Sequence, residues 1–304
     1  MNKLQINILK TLAYFDLFHY PLTRYEIQIF LPKKFGLSWI NNELNALMLD
    51  KKIFQADEFY SLENNPDLAE RRRRGNLKAV EQLIIARRTA SVLYWFPFVQ
   101  SIAVSGSLSK HFSEEKSDID FFIITSTNRL WIARTFMHLL KKLSFVVNKQ
   151  NWFCMNYYVD ESALKIPEEN IFTAMEIVTL IPMEGRNCFQ KFREANAWTS
   201  EYFPLQTNYR KDIRENRKNF FRVFLEKIFS SRLGDNTDQW LMHLTDKRWR
   251  KKTLSGKVND HGGKIEMMVG RHFSKPNPKN FQEKVLRQYE STVNDLVESK
   301  EVVL

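Results

Sequence analysis

Apolar residues recur every three or four positions at the start of the chain. Leu4, Ile8, Leu12 and Phe15 predict a first helix. Pro21-Leu22-Thr23 opens a second that runs through Ile27 to Leu31, with Thr23 as its N-cap. Ser38 is placed to cap a third, Trp39 to Asp50, with Ile40, Leu44 and Leu47 on one face. The period then shortens: Ile53 to Ala56 and Glu58 to Leu62 predict a short hairpin. Asn64-Asn65-Pro66-Asp67 reads as a linker, which sets a first domain at 1–65.

A charged helix is expected from Glu70 towards Tyr94, opening on four consecutive cations, Arg71 to Arg74. At 100° per residue these cannot share one face, so one or two could reach a phosphate while the rest meet solvent or acidic neighbours. Beyond Trp95 to Val99 the pattern becomes that of buried strands. Ile102 to Val104 ends at Gly106-Ser107, and Phe121 to Ile124 follows Asp118-Ile119-Asp120. Asn128 is placed to cap a helix from Leu130 to Leu143, and Trp152 to Val159 reads as a third strand. After residue 161 the pattern is mostly helical: Asn170 to Leu180, ending at Pro182; an aromatic-rich connector and helix from Gly185 to Gln206; Arg210 to Phe229, with Phe220, Phe221, Phe224, Leu225 and Ile228 as its buried face; Asp238 to Lys252; and Phe281 to Val297. Gly256 to Gly270 reads as a polar loop, and Ser274 to Pro278 as a break. The expected architecture is α+β, with a small mixed-sheet core at 66–185 flanked by the N-terminal helical unit and a basic helical domain at 186–304.

Charge adds one element to this picture. The 304 residues carry a formal net charge of +11, and from Tyr209 onward 21 Lys/Arg stand against 13 Asp/Glu. Such a balance suits a polyanion, whether nucleic acid, nucleotide phosphates or an acidic protein. Cys154 and Cys188 are the only cysteines, which implies no disulfide framework, and the six His show no zinc spacing. No apolar run reaches transmembrane length, so a cytoplasmic protein with no membrane partner is expected.

The chemistry concentrates in Ser101 to Thr125. Gly106 permits a backbone conformation closed to other residues and a close phosphate approach, and Ser107 adds a hydroxyl. Amides opening the next helix point at any anion placed there. Asp118 and Asp120 lie two apart on a strand, so both carboxylates leave one face. Held side by side they repel unless a cation sits between them, and Mg²⁺ is the usual partner of carboxylates and substrate phosphates.

Gly-Ser, a spacer of about ten residues and Asp-apolar-Asp, each on an apolar strand, together resemble the signature of the polymerase-β-like nucleotidyltransferase superfamily. The resemblance covers roughly Phe96 to Asp160. It implies a transfer of nucleoside monophosphate from an NTP to a hydroxyl on RNA, a protein or a small molecule, with release of pyrophosphate. Asp118 and Asp120 would hold Mg²⁺ or Mn²⁺, Gly106 and Ser107 would hold phosphates, and Arg129 or Arg134 would meet the triphosphate. The third carboxylate of that pattern falls on Asn156, whose amide can coordinate a metal but cannot accept a proton. Asp160 is the nearest acid, and Glu161 and Glu176 are acids that could fold back onto the pair. Two readings therefore stand: an active transferase, or a nucleotide-binding regulatory protein that does not turn over. A toxin-modifying role, as in minimal nucleotidyltransferases, is a third.

Residues 1–62 resemble a winged helix-turn-helix. Its third helix carries Asn41, Asn42, Glu43, Asn45 and Asp50 and no Lys or Arg before Lys51. That favours a structural or protein-binding role over DNA reading, where phosphate contacts usually dominate affinity.

Overall fold

The computed structural model describes residues 1–115, 117–144, 152–206, 213, 219–255, 267–276 and 279–298. Helix α1 (Lys3–Asp16) begins at a capping box in which Asn2 and Gln5 satisfy each other's backbone amides. A two-residue strand β1 (Leu22–Thr23) precedes α2 (Arg24–Phe30), where Thr23 caps as expected and Glu26 closes the box. Helix α3 (Leu37–Leu49) starts earlier than expected, with Gly36 rather than Ser38 at its N-cap. The hairpin forms as β2 (Phe54–Ala56) and β3 (Phe59–Ser61). Strand β1 was not foreseen; it pairs antiparallel with β3, giving the order β1-β3-β2. Leu4, Ile8, Leu12, Phe15, Ile27, Ile40, Leu44 and Leu47 are buried together, as their spacing predicts.

Helix α4 (Asp67–Leu93) takes up the charged run, and each of its four leading arginines finds a carboxylate. Arg71 pairs with Glu114, Arg72 with Glu26, Arg73 with Asp57 and Arg74 with Glu70. Arg72 is almost fully buried. It also donates to the Pro21 carbonyl and lies 3.8 Å over the Tyr20 ring, so it rivets the first unit to α4.

The second sheet has six strands in the order β7-β4-β5-β6-β9-β8. They are β4 (Val99–Val104), β5 (Asp120–Thr125), β6 (Cys154–Asp160), β7 (Ile181–Glu184), β8 (Met267–Val269) and β9 (Phe273–Pro276). Only β5 and β6 run parallel; the other four pairings are antiparallel. The fold is mixed α+β. Strand β7 was not expected from the sequence. Its Pro182 is tolerated because β7 is an edge strand.

Alternation along β5 sends its side chains to two cores. Phe121 and Ile123 join α4 and α6 (Leu130–Ser144), around the fully buried Trp131. Phe122 and Ile124 join α7 (Ile171–Val178) and α8 (Arg186–Ala195), around Phe189 and Phe192. The four-residue α5 (Gly106–Ser109) turns the chain out of β4.

The C-terminal third corrects the expected separate helical domain. Helix α10 (Arg232–Leu254) packs on α6, where the Ile132 amide donates to Asp238 Oδ1 at 2.8 Å. Strands β8 and β9 extend the sheet, within and beside segments read as loop and break. Helix α11 (Lys279–Glu298) lies against α1, with Tyr289 in edge contact with Tyr14 and Val285 buried in the first core. The segment is thus shared among three places because its apolar stripes complete other elements' cores.

Helix α9 (Phe220–Ile228) is a second correction; the rest of the predicted 210–229 helix, save Ile213, Asn219 and Phe229, lies outside the described residues. Phe220, Phe221, Phe224 and Ile228 are exposed, and Arg222 is fully buried instead. The Arg222 guanidinium donates to the Tyr94 and Val99 carbonyls and to Glu226, whose carboxylate accepts from the Phe98 amide. A guanidinium whose three nitrogens each donate a hydrogen bond thereby takes the inward face. No helix among the described residues is long and apolar enough to cross a membrane.

Candidate functional site

The signature stretch folds into one compact turn. The Ser105 amide donates to the Asp120 carbonyl at 2.9 Å, closing the ends of β4 and β5 together. Gly106 then takes φ +67°, and a Cβ there would stand 2.7 Å from Asp120 Oδ2. Both facts demand glycine, one for conformation and one for space. Ser107 is exposed on the turn, as is Asp118, while Ile119 between the two acids is buried.

The loop that separates the turn from the acids is braced from outside. Phe112 is buried against Gly75, where a Cβ would meet its ring at 2.2 Å, and the Ser113 amide donates to the Gly75 carbonyl. The Tyr20 hydroxyl donates to the Lys110 carbonyl, and Arg71 stacks over Phe112 at 4.7 Å. Helix α4, together with Tyr20 of the N-terminal unit, therefore holds the spacer whose two ends are Ser107 and Asp118.

Around Asp120 the balance is acidic. Burial lifts its carboxyl to about 6; the neighbouring Cys154 thiol opposes that rise, while Asp118 and Glu176 add to it. Glu176 reaches the site from α7. It is ion-paired with Lys110 Nζ at 2.7 Å, and the same ammonium donates to the Gly106 carbonyl at 3.3 Å. Of the two acids expected to fold back, Glu176 comes to the pair. Glu161 lies beyond the far end of β5, where its amide donates to the Thr125 carbonyl, and its charge acts on Cys188.

The third strand departs from the expected alignment. Asp120 pairs with Cys154 and Phe121 with Met155, but Phe122 pairs with Tyr157. Asn156 is thus the extra residue of a β-bulge, and Cys154 occupies the position across from Asp120. Burial, then the charge of Asp120, pushes the Cys154 thiol well above its ordinary range, so it remains a proton donor. Asp160 sits at the opposite end of β6, paired with Thr125 and fully buried. Its carboxylate accepts from the Asn128 and Ser162 amides and the Ser162 hydroxyl, and lies 2.9 Å from His272 Nδ1.

Arg129 and Arg134 are also placed away from the phosphate turn. Asp120 opens β5 and Arg129 follows its last residue, so about 16 Å of strand separates the two ends. Arg129 is buried, donates to the carbonyls of Asn128, Phe229, Ser230 and Ser231, and pairs with Asp235. It anchors the start of α10 and has no fork left for a triphosphate. Arg134 is buried between the Trp131 and Tyr158 rings. Asn128 gives its side-chain oxygen to Arg271 instead of capping α6.

Among the described residues, no group of three or more His, Cys, Asp or Glu is arranged to hold a metal ion. Asp118 and Asp120 alone form a hard-oxygen pair, and that donor set fits Mg²⁺, which commonly takes one or two carboxylates and completes its shell with water and substrate phosphate. Compared with family models, curated proteins and solved structures, the chain matches none.

Proposed function

We propose that the chain is a metal-dependent nucleotidyltransferase, moving a nucleoside monophosphate from an NTP to a hydroxyl acceptor and releasing pyrophosphate. The supporting observation is the packing of Gly106 against Asp120, which sets an exposed serine turn beside the first residue of β5, with Asp118 two residues before it. In this reading Ser107 and the turn hold the outer phosphates, and Asp118 with Asp120 holds Mg²⁺ or Mn²⁺. When bound, the cation supplies charge neutralisation at the transferred phosphate and the leaving group. Glu176 is the further acid whose charge reaches Asp120. The N-terminal helices and three-stranded sheet follow the order of a winged helix, which we read as a brace and interaction module. Tyr20 and Arg71 hold the signature loop from that side, whereas α3 presents amides and acids.

One observation favours a second reading, a nucleotide-binding protein without turnover. The position opposite Asp120 holds the protonated thiol of Cys154, which is neither a metal-binding carboxylate nor a base.

The deciding experiment is transfer of label from each α-labelled ribonucleotide, with Mg²⁺ or Mn²⁺, comparing the natural chain with Asp118→Ala/Asp120→Ala. Total RNA and the protein itself serve as acceptors. Label transferred only by the natural chain supports the transferase. Metal-dependent nucleotide binding without transfer supports the second reading, and neither result overturns both.

A further inference from the structure

Helix α4 carries a stripe on its outer face that the packing uses only at Leu83. Val80, Leu83, Ile84, Arg87 and Arg88 follow one another at helical spacing, opposite the buried Ala79, Ala86, Ala90 and Leu93. With His111 as a facing wall they line an open groove of about 700 Å³. His111 stands at φ +57°, in the loop between Ser107 and Asp118. The groove is therefore bounded by the signature loop itself.

Its two arginines differ from those that hold the fold together. Arg71 to Arg74, Arg129 and Arg222 are all neutralised by carboxylates. Among the described residues Arg87 and Arg88 have no carboxylate partner, and both are exposed. Beside them Val80 and Ile84 are 60% and 54% exposed. Two open guanidinium forks over an apolar floor suit a ligand with phosphates and a flat apolar body. Guanidinium binds phosphate bidentately and stacks on rings, and apolar side chains support a base or sugar. A duplex would not seat its bases here, whereas an unpaired strand end would.

We propose that this groove binds the single-stranded end of an RNA acceptor, with Arg87 and Arg88 on its phosphates and the Val80–Ile84 turn beneath a base. The word acceptor rests on the nucleotidyltransferase reading; the binding does not.

The test is fluorescence anisotropy with a labelled single-stranded hexaribonucleotide across a salt series. The natural chain is compared with Arg87→Ala/Arg88→Ala, Ile84→Asn and Arg248→Ala, an exposed arginine of α10 outside the groove. Loss of two phosphate contacts lowers the slope of log affinity against log salt by about 1.4 and weakens binding roughly 25-fold at 0.1 M salt. Ile84→Asn is expected to weaken binding with the slope unchanged, and Arg248→Ala to bind RNA within about twofold of the natural chain, since that side chain lies outside the groove. That pattern supports the site even where no label is transferred, so failure of the transferase reading remains separate. Absence of RNA binding by the natural chain, or an arginine double variant that binds unchanged, overturns it. Displacement of the RNA by an acidic peptide or by decanoate, but not by a second oligoribonucleotide, also overturns it.

Discussion

Cys154 stands directly across from Asp120 in the parallel β5–β6 ladder, where burial and the charge of Asp120 keep its thiol protonated. A neutral donor thus occupies the place where the superfamily pattern leads one to expect a third negative charge. The acid pair is left with Glu176, held at one remove by Lys110, as its acidic companion on α7.

Asp120→Asn should stabilise the protein in a pH-dependent way. The folded carboxyl titrates near 6 against 3.8 when unfolded, so below pH 3.8 both states are protonated and there is no penalty. Between 3.8 and 6 the unfolded state ionises first and the folded state loses ground, and above 6 the loss is constant. The amide removes it, giving about 1 kcal/mol at pH 4.5 and about 3 kcal/mol at pH 7.5 by urea unfolding. A gain of equal size at both pH values would contradict the assignment.

Cys154→Asp should convert the pair into a three-acid cluster. Without divalent cations the variant is expected to melt below the natural chain, because a third charge joins two that already repel. With Mn²⁺ its melting temperature should rise more than that of the natural chain. A variant indifferent to Mn²⁺ would argue that this strand end is not a metal site.

Gly106→Ala tests the turn. A side chain at φ +67° is strained, and its Cβ meets Asp120 Oδ2 at 2.7 Å. The expected loss is about 1–3 kcal/mol in urea unfolding, with loss of any nucleotide-dependent stabilisation. Retention of both would mean that the turn yields easily.

These features differ in how far they could be read from residue order. The Gly106 turn was legible because a forced glycine is local, whereas Asp118 falls two residues before β5 and stays exposed, so the strand alternation expected for the Asp118/Asp120 pair reaches only Asp120. The bulge at Asn156 was not legible, since one extra residue in a run such as Cys154-Met155-Asn156-Tyr157 leaves no mark on the pattern. Arg129 looked available because its partners at Phe229 to Asp235 lie about a hundred residues downstream. Arg222 misled for the same reason. Its carbonyls at Tyr94 and Val99 are 128 and 123 residues away, and a lone cation among phenylalanines reads as the outer face.

Arg222→Met should cost about 3–5 kcal/mol, since it leaves Glu226 and two carbonyls without their donor. Adding Glu226→Gln keeps an acceptor for the Phe98 amide while removing the stranded charge. The double variant is expected to lose less than the two single losses added together, by about 0.5–3 kcal/mol in a thermodynamic cycle. Simple additivity would show that the two side chains act independently.

The β9 strand pairs with β6 through Val159 with Phe273 and Tyr158 with Ser274. During synthesis, then, the strand beside the acid pair is complete long before its outer neighbour exists. At about 5–20 residues per second, the 116 residues between the last positions of β6 and β9 take roughly 6–23 s to make. Throughout that interval the outer backbone amides and carbonyls of β6 form an open edge, able to recruit any extended strand nearby. A chain halted in this window would carry Asp118 and Asp120 beside an uncovered strand edge.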